Sequence, residues 1–408
     1  MKTPLDAQKI RDDFPILQTR VYDKPLVYLD NAATTQKPRQ VIDRVISYYY
    51  QNNSNAHRAK YFLAEKSSEL YESARETVRK FIGAANSQEI IFTSGTTASI
   101  NLVAQSLRKF YFKKDDEIII TEMEHHSNLV PWQMVCKDVG ASLKVIPFDD
   151  EGVLRIKSLE SMFTEKTRLI AVTHVSNVTG VINPVKEIIV RAHAYNIPVL
   201  LDGAQSISHL PIDVEILDCD FFVFSGHKMY AETGTGVLYG KQKWLEQMFP
   251  VQYGGGMVLS VDFDNTTFAD LPFRFEAGTQ NIAGAISIAA AIDYMNDIGI
   301  NAIHSHEKQL LQYAADALGD IDQVTLYAES ATKSGLLSFN INNVSPFDVS
   351  MILDKMAIAV RSGTHCAQPV MKHLGIDGTV RVSFALYNTV EEVDVLVKGV
   401  RRAVQILQ

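Results

Sequence analysis

Six short, almost wholly apolar runs between residues 89 and 224 constrain the fold of this chain more than any other feature. They are Glu89–Thr93, Ile118–Thr121, Leu143–Ile146, Leu169–Thr173, Val199–Leu201 and Phe221–Phe224. A strand that is apolar at consecutive positions, rather than at alternate ones, must be covered on both faces. Between the runs lie helical segments near 98–110, 128–139 and 184–196, the last opening with Asn183 as N-cap and Pro184 at the first helical position. Strands alternating with amphipathic helices are the pattern of parallel strands joined by crossovers, so the spacing predicts a large doubly wound, mostly parallel α/β sheet domain.

After about residue 285 the texture changes. An Ala/Ile-rich stretch predicts one long helix over 284–318, followed by short strands at 324–327, 336–340, 358–360 and 380–383, a helix at 346–356 and a last helix from Glu391. Strands with few helices among them suggest a smaller α+β domain whose sheet is exposed on one face. The expected division is residues 21–284 as the large domain and 1–20 with 285–408 as the small one, the first 20 residues packing back onto the latter. At 408 residues the chain is long enough for two domains of unequal size.

Charge and cysteine content narrow the class. A formal net charge of −8, with no basic block interleaved with aromatics, argues against nucleic acid as a partner. Three scattered cysteines, Cys136, Cys219 and Cys366, form neither a disulfide framework nor a CxxC zinc pair, which fits a reducing compartment. The N-terminus has no signal-like apolar stretch and the longest apolar run, Ile282 to Ile292, is too short to span a membrane; the expectation is a cytoplasmic protein without a membrane partner.

Functional groups of doubly wound sheets gather at the carboxyl ends of the strands. After the first run comes Thr93-Ser94-Gly95-Thr96-Thr97 at a helix start, which suits a bound phosphate but is equally read as a plain cap. After the second comes Glu124-His125-His126-Ser127-Asn128; adjacent histidines do not share a face and no third ligand is near, so no metal is expected and an imidazole stacked on a planar cofactor is the better functional use, with a backbone-satisfied histidine as the plain alternative. Asp202 closes the fifth run, where a carboxylate needs a cation or donors. Phe221–Phe224 runs into Ser225-Gly226-His227-Lys228, and a partly desolvated lysine is a candidate Schiff-base nucleophile, although a lone lysine is more commonly a solvated surface residue. Taken together, a phosphate cradle, a stacking ring, an anion for a ring nitrogen and an imine-forming amine meet the needs of pyridoxal 5'-phosphate.

In this set of residues the chain resembles the fold-type I pyridoxal-phosphate enzymes of the class V aminotransferase superfamily, and among them the SUF-type (group II) cysteine desulfurases. The motifs that carry the likeness are Tyr28-Leu29-Asp30-Asn31-Ala32-Ala33, Gly95-Thr96-Thr97, Glu124 to Asn128, Thr173-His174-Val175-Ser176-Asn177, Asp202-Gly203-Ala204-Gln205, Ser225 to Lys228, Arg274-Phe275-Glu276-Ala277-Gly278-Thr279 and Arg361-Ser362-Gly363-Thr364-His365-Cys366. The resemblance implies that Lys228 carries the cofactor, His125 stacks on its ring, Asp202 meets the ring nitrogen and Gln205 the phenolic oxygen. It implies that Thr96, Thr97, Ser225 and His227 bind the phosphate, with Thr279 reaching it from the neighbouring subunit of a homodimer. Asn177, Arg381, His57 and Arg361 would bind the substrate, L-cysteine or L-selenocysteine, and Cys366 would accept its sulfur for transfer to an accessory carrier of the SUF type and on to iron–sulfur cluster assembly.

Read from its neighbours alone, Cys366 lies beside Arg361 and His365, where positive charge favours thiolate, yet inert packing accounts for it as well. Selenocysteine lyase activity and a non-catalytic scaffold of the same fold are the rival functions. Two departures from the family pattern stand out: Ala231-Glu232-Thr233-Gly234 where Gly-Pro-Thr-Gly is usual, and Ala59-Lys60-Tyr61 after His57-Arg58. They bear on substrate access and partner docking rather than on the catalytic groups.

Overall fold

The computed structural model describes residues 5–57 and 59–408, so Arg58 of the second departure and residues 1–4 lie outside the described residues. Seven strands form the central sheet: β1 (Ile90–Thr93), β2 (Glu117–Thr121), β3 (Ser142–Ile146), β4 (Thr167–Thr173), β5 (Val199–Asp202), β6 (Phe221–Ser225) and β7 (Gly236–Gly240). Their spatial order is β1-β7-β6-β5-β4-β2-β3. The run from β6 to β3 is parallel, as the apolar runs require, whereas β7 pairs antiparallel with both β1 and β6.

Period-2 alternation along each strand feeds two separate cores. Ile170, Val172, Phe222 and Phe224 join one cluster with the helices Val185–His193 and Ile282–Ile298, while Leu169, Ala171, Phe221 and Val223 join another with Thr96–Phe110 and Val130–Val139. The expected large α/β sheet domain is therefore present, with helices on both faces.

The smaller sheet has four antiparallel strands, β8 (Val324–Leu326), β9 (Leu336–Ile341), β10 (Arg361–Gly363) and β11 (Thr379–Ser383), in the order β8-β9-β11-β10. Helices Ile300–Gly319, Pro346–Lys355 and Val390–Leu407 pack into its core, which gives the expected α+β unit.

Three expectations need correction. The single helix over 284–318 is two, Ile282–Ile298 and Ile300–Gly319, because Gly299 at φ +96° leaves the right-handed helical region while its N–H still caps Met295. Asn183 does not cap the next helix, which starts at Val185; its side-chain amide instead donates to the Thr173 carbonyl at 2.8 Å. The small sheet is not open on one face at its centre: β9 and β11 are buried almost throughout, and Ser338 Oγ on β9 donates to the Val178 carbonyl of the large body at 2.6 Å. The N-terminal segment bridges both bodies, since Arg11 bonds Glu392 at 2.9 Å while the buried Phe14 packs edge-on or tilted against Tyr230, Tyr294 and Tyr387. We propose the division 21–284 and 1–20 with 285–408 as domains, joined across that boundary by a parallel pair of Val27–Tyr28 with Ile358–Ala359. Among the described residues no helix is long and apolar enough to cross a membrane.

Candidate active site

The carboxyl ends of β2, β4, β5 and β6 open into a cavity of about 230 Å³. Lys228 enters it from the single helical turn Gly226–Lys228 that follows β6. Removal from water lowers its ammonium from 10.5 to about 8, against the pull of the Asp202 carboxylate. Asp202 ends β5 and accepts the Ala204 N–H at 2.9 Å; burial still pushes its carboxyl up, so the site asks for a cation there. Next to it, Gln205 Nε2 donates one of its two N–H groups to the Ala32 carbonyl at 2.9 Å, which leaves a second N–H donor and the amide oxygen on a cavity-lining residue.

His125 follows β2. The Ser127 N–H donates to its Nδ1 at 3.1 Å, and burial lowers the ring to about 3, so the imidazole is neutral with its proton on Nε2. Behind it, the buried Glu124 accepts from Thr121 Oγ1 at 2.6 Å, Asn128 Nδ2 at 2.6 Å and the Thr173 N–H at 2.9 Å, and desolvation pushes its carboxyl up to about 8. Glu124 thus holds the histidine loop against β4.

Thr96 and Thr97 at a helix start, Ser225 and His227 line the cavity as well. Ser225 Oγ takes the Thr96 N–H at 2.8 Å and lies 2.7 Å from Thr96 Oγ1. Gly95, at φ +144°, brings this helix start close against the sheet, where an added Cβ would stand 3.3 Å from Ser225 Oγ. Desolvation lowers His227 to about 4, so its imidazole is neutral.

Arg381, Arg361, Asn177 and Cys366 line the same cavity. Arg381 Nη1 donates to the Asn177 carbonyl at 2.8 Å and Nη2 to Asp30 Oδ1 at 3.2 Å, while its buried Nε has no partner. Arg381 lines the cavity, and a buried guanidinium there is suited to a substrate carboxylate. Arg361 approaches the same Asp30 carboxylate at 3.9 Å. Cys366 is exposed, whereas burial of Cys136 and Cys219 raises both of their thiols.

The loop that carries His365 and Cys366 is tightly held. His365 and Cys366 sit at φ +52° and +57°, two consecutive non-glycine residues in the left-handed region. Asn177 Nδ2 donates to the His365 carbonyl at 2.7 Å and the His126 N–H to the Cys366 carbonyl at 2.8 Å. One expectation fails here: burial lowers His365 to about 3, so it brings no positive charge to Cys366; the cations whose charge interacts with Cys366 are Lys228 and Arg381.

Two residues are not brought to this cavity. Thr279 lines a separate cavity of about 430 Å³ with Glu276 and Phe92. His57 stands edge-on to Tyr71 and Phe273, its Nε2 3.3 Å from Glu72. The two are linked through the buried Arg75, which pairs with Glu72 at 2.9 Å and with Glu276 at 2.7 Å. Of the two departures, Glu232 is half-buried with its N–H on Ser287 Oγ at 3.1 Å and does not line the Lys228 cavity, and Tyr61 OH lies 2.7 Å from Ser54 Oγ. Two carboxylates are not singled out by a reading of strand ends: Glu124, which lies in the polar segment after β2 and accepts the Thr173 N–H, and Asp30, which lies in the Tyr28–Ala33 motif and here sits between two arginines.

Residues 27–396 match the family Aminotransferase class-V. A probable cysteine desulfurase of Halalkalibacterium halodurans is 50% identical over 398 residues, 98% of each chain. A cysteine desulfurase of Synechococcus elongatus is 49% identical over 97% of this chain and 63% of its own length. Among solved structures, the cysteine desulfurase CsdA (S-sulfonic acid) from Escherichia coli superposes with a TM-score of 0.92 at 39% identity, covering 100% of both chains. A family match across nearly the whole length, on a doubly wound sheet whose strand ends meet around one lysine, makes this chain a member of the class-V aminotransferase family.

Proposed function

We propose that this protein is a pyridoxal-phosphate-dependent cysteine desulfurase that converts L-cysteine to L-alanine and keeps the sulfur on Cys366. The observation that carries this reading is that the exposed Cys366, the desolvated Lys228 and the buried Arg381 line one cavity. The full-length likeness to proteins named cysteine desulfurase supports it.

The residues fit the cofactor. Asp202, a buried carboxylate short of donors, suits a protonated ring nitrogen; His125, neutral and fixed by Ser127, suits the ring face; Gln205 suits the phenolic oxygen; Thr96, Thr97, Ser225 and His227 suit the phosphate; Lys228 suits the aldehyde. When bound, pyridoxal phosphate supplies an electron sink for the substrate Cα.

The protein's own groups do the rest. Arg381 and Asn177 hold the substrate carboxylate, with Arg361 at the mouth. Lys228, with its ammonium lowered to about 8, holds a usable fraction of free amine near neutral pH and can take the Cα proton. Cys366 Sγ, as thiolate, attacks the substrate sulfur; an S–S bond forms, the C–S bond breaks, and the carbon skeleton leaves as L-alanine after reprotonation. The product on the enzyme is a Cys366 persulfide.

A homodimer is part of the same proposal, with Thr279, and His57 beside it in the Arg75 cluster, serving the cavity of a second copy, because both stand outside the cavity of their own chain. So is delivery to an accessory sulfur carrier that feeds iron–sulfur cluster assembly in the cytoplasm: a loop anchored at both His365 and Cys366 cannot swing far. L-Selenocysteine would be accepted by the same carboxylate site.

Replacing Cys366 by Ser tests the reading. The variant should bind the cofactor and lose persulfide and alanine formation from L-cysteine; full-rate desulfuration by the variant would overturn the assignment of the acceptor. Assaying both amino acids in wild type and variant separates a desulfurase from a lyase for the selenium analogue.

A further inference from the structure

Lys37 has no part in the chemistry above and does not line the Lys228 cavity, yet it is a half-buried cation directly behind it. Its Nζ meets the Thr35 carbonyl, Thr34 Oγ1 at 3.2 Å and the His227 carbonyl at 3.3 Å. That His227 carbonyl belongs to the peptide that leads into Lys228. It also receives the Thr34 hydroxyl at 3.0 Å, the Thr35 N–H at 3.0 Å and the Thr35 hydroxyl at 3.2 Å. Two residues further on, the Tyr230 N–H donates to Thr35 Oγ1 at 2.8 Å. Residues 34–37 therefore bracket the lysine-bearing turn on both sides.

A carbonyl oxygen has two lone pairs, so four donors on one of them share it, and the contact is far more than satisfaction of a stray acceptor requires. The cation adds a charge-assisted member to the group and also meets the buried Thr35 carbonyl, which would otherwise be left short of a donor. We propose that Lys37 is a positioning residue for Lys228: its ammonium fastens the 34–37 segment to the His227 carbonyl and so fixes the direction from which the Lys228 amine reaches the cofactor aldehyde. The proposal rests on the reading of Lys228 as the cofactor-bearing lysine. Desolvation, which lowers the Lys37 ammonium to about 8, agrees with a cation kept for its contacts rather than for solubility.

The test uses the full-length protein stripped of cofactor. Wild type, Lys37→Met and Lys37→Arg are mixed with saturating pyridoxal phosphate, quenched with borohydride at intervals and digested, and the reduced label on the Lys228 peptide is timed by mass spectrometry; thermal midpoints of the same samples are read in parallel. The expected result is labelling of Lys228 at least tenfold slower in Lys37→Met and within threefold of wild type in Lys37→Arg. Labelling of Lys37→Met at the wild-type rate would overturn the proposal, and so would a lowered midpoint with an unchanged rate, which marks a purely structural lysine. If Lys37→Met does not fold, Thr34→Val decides: it removes a donor from the same carbonyl and an acceptor from Lys37, so slower labelling supports the proposal and unchanged labelling contradicts it. Wild type unlabelled at Lys228 would instead sink the proposed function on which this inference stands.

Discussion

The backbone N–H of His126 donates to the carbonyl of Cys366 at 2.8 Å. This one bond ties the loop that presents the imidazole of His125 to the loop that presents the acceptor thiol. His126 is the first residue of a short helical turn and follows an extended residue, a place where proline fits without strain. His126→Pro should therefore remove the bond and little else, slowing Cys366 persulfide formation about fivefold to tenfold, in line with about 1 kcal/mol for a hydrogen bond. His126→Ala, which keeps the N–H, should behave as wild type. Equal rates in all three, timed by trapping the persulfide, would show that the bond does not position the thiol.

Lys228 should titrate well below an ordinary lysine. With its pKa lowered to about 8, roughly a tenth of the amine is free at pH 7 and roughly nine tenths at pH 9. Acylation of the cofactor-free protein by a neutral reagent, mapped to the Lys228 peptide, should rise about tenfold across that interval and then level off. A midpoint near the ordinary value of 10.5 would mean that the cavity does not desolvate the amine.

Asp202 is stressed in the absence of a cation. Burial raises its carboxyl, so the stability linked to its protonated form is present at acid pH and is lost as pH rises through the raised value. Asp202→Asn should thus raise the thermal midpoint of the cofactor-free protein at neutral pH, with the gain shrinking on acidification. Loss of that charge should also move the Lys228 amine further down, since Asp202 is what holds it up. Cofactor affinity should fall about tenfold to a hundredfold, as expected for a lost charge-assisted bond. Spectroscopic titration and calorimetry on the same samples check all three outcomes.

Arg75 and Glu276 are a buried pair at 2.7 Å, with Tyr71 OH donating to the same carboxylate at 2.9 Å. Arg75→Met leaves Glu276 buried and uncompensated, and denaturant unfolding should report a loss of about 3–5 kcal/mol. A loss below about 1 kcal/mol would show that the pair is not desolvated.

The seven-strand sheet is legible in the sequence where both faces are buried, because a continuous apolar run as short as Leu169–Thr173, bounded by polar residues, fits a doubly covered strand better than a helix. Its antiparallel member β7 is not: Gly236-Val237-Leu238-Tyr239-Gly240 is short, glycine-bounded and lies close behind the lysine turn, where chemistry rather than pattern dominates the residues. The break at Gly299 is hidden by the helical periodicity on either side of it, and the buried second face of β9 depends on contacts with Val178 and Gly180 from another part of the chain. In the site, strand ends point to Lys228, Asp202 and His125, since each follows its own strand. The same logic gives His365 a charge that burial removes, and it passes over Lys37 and Glu124, whose partners lie far away in sequence or behind the cavity wall.

The proposed chemistry requires one amine to meet one aldehyde. Holoprotein reduced with borohydride and digested should yield a single pyridoxyl-modified peptide, carrying the label on Lys228 in near-stoichiometric amount. A label fixed on any other lysine, or protein that takes up no label at all, would contradict it.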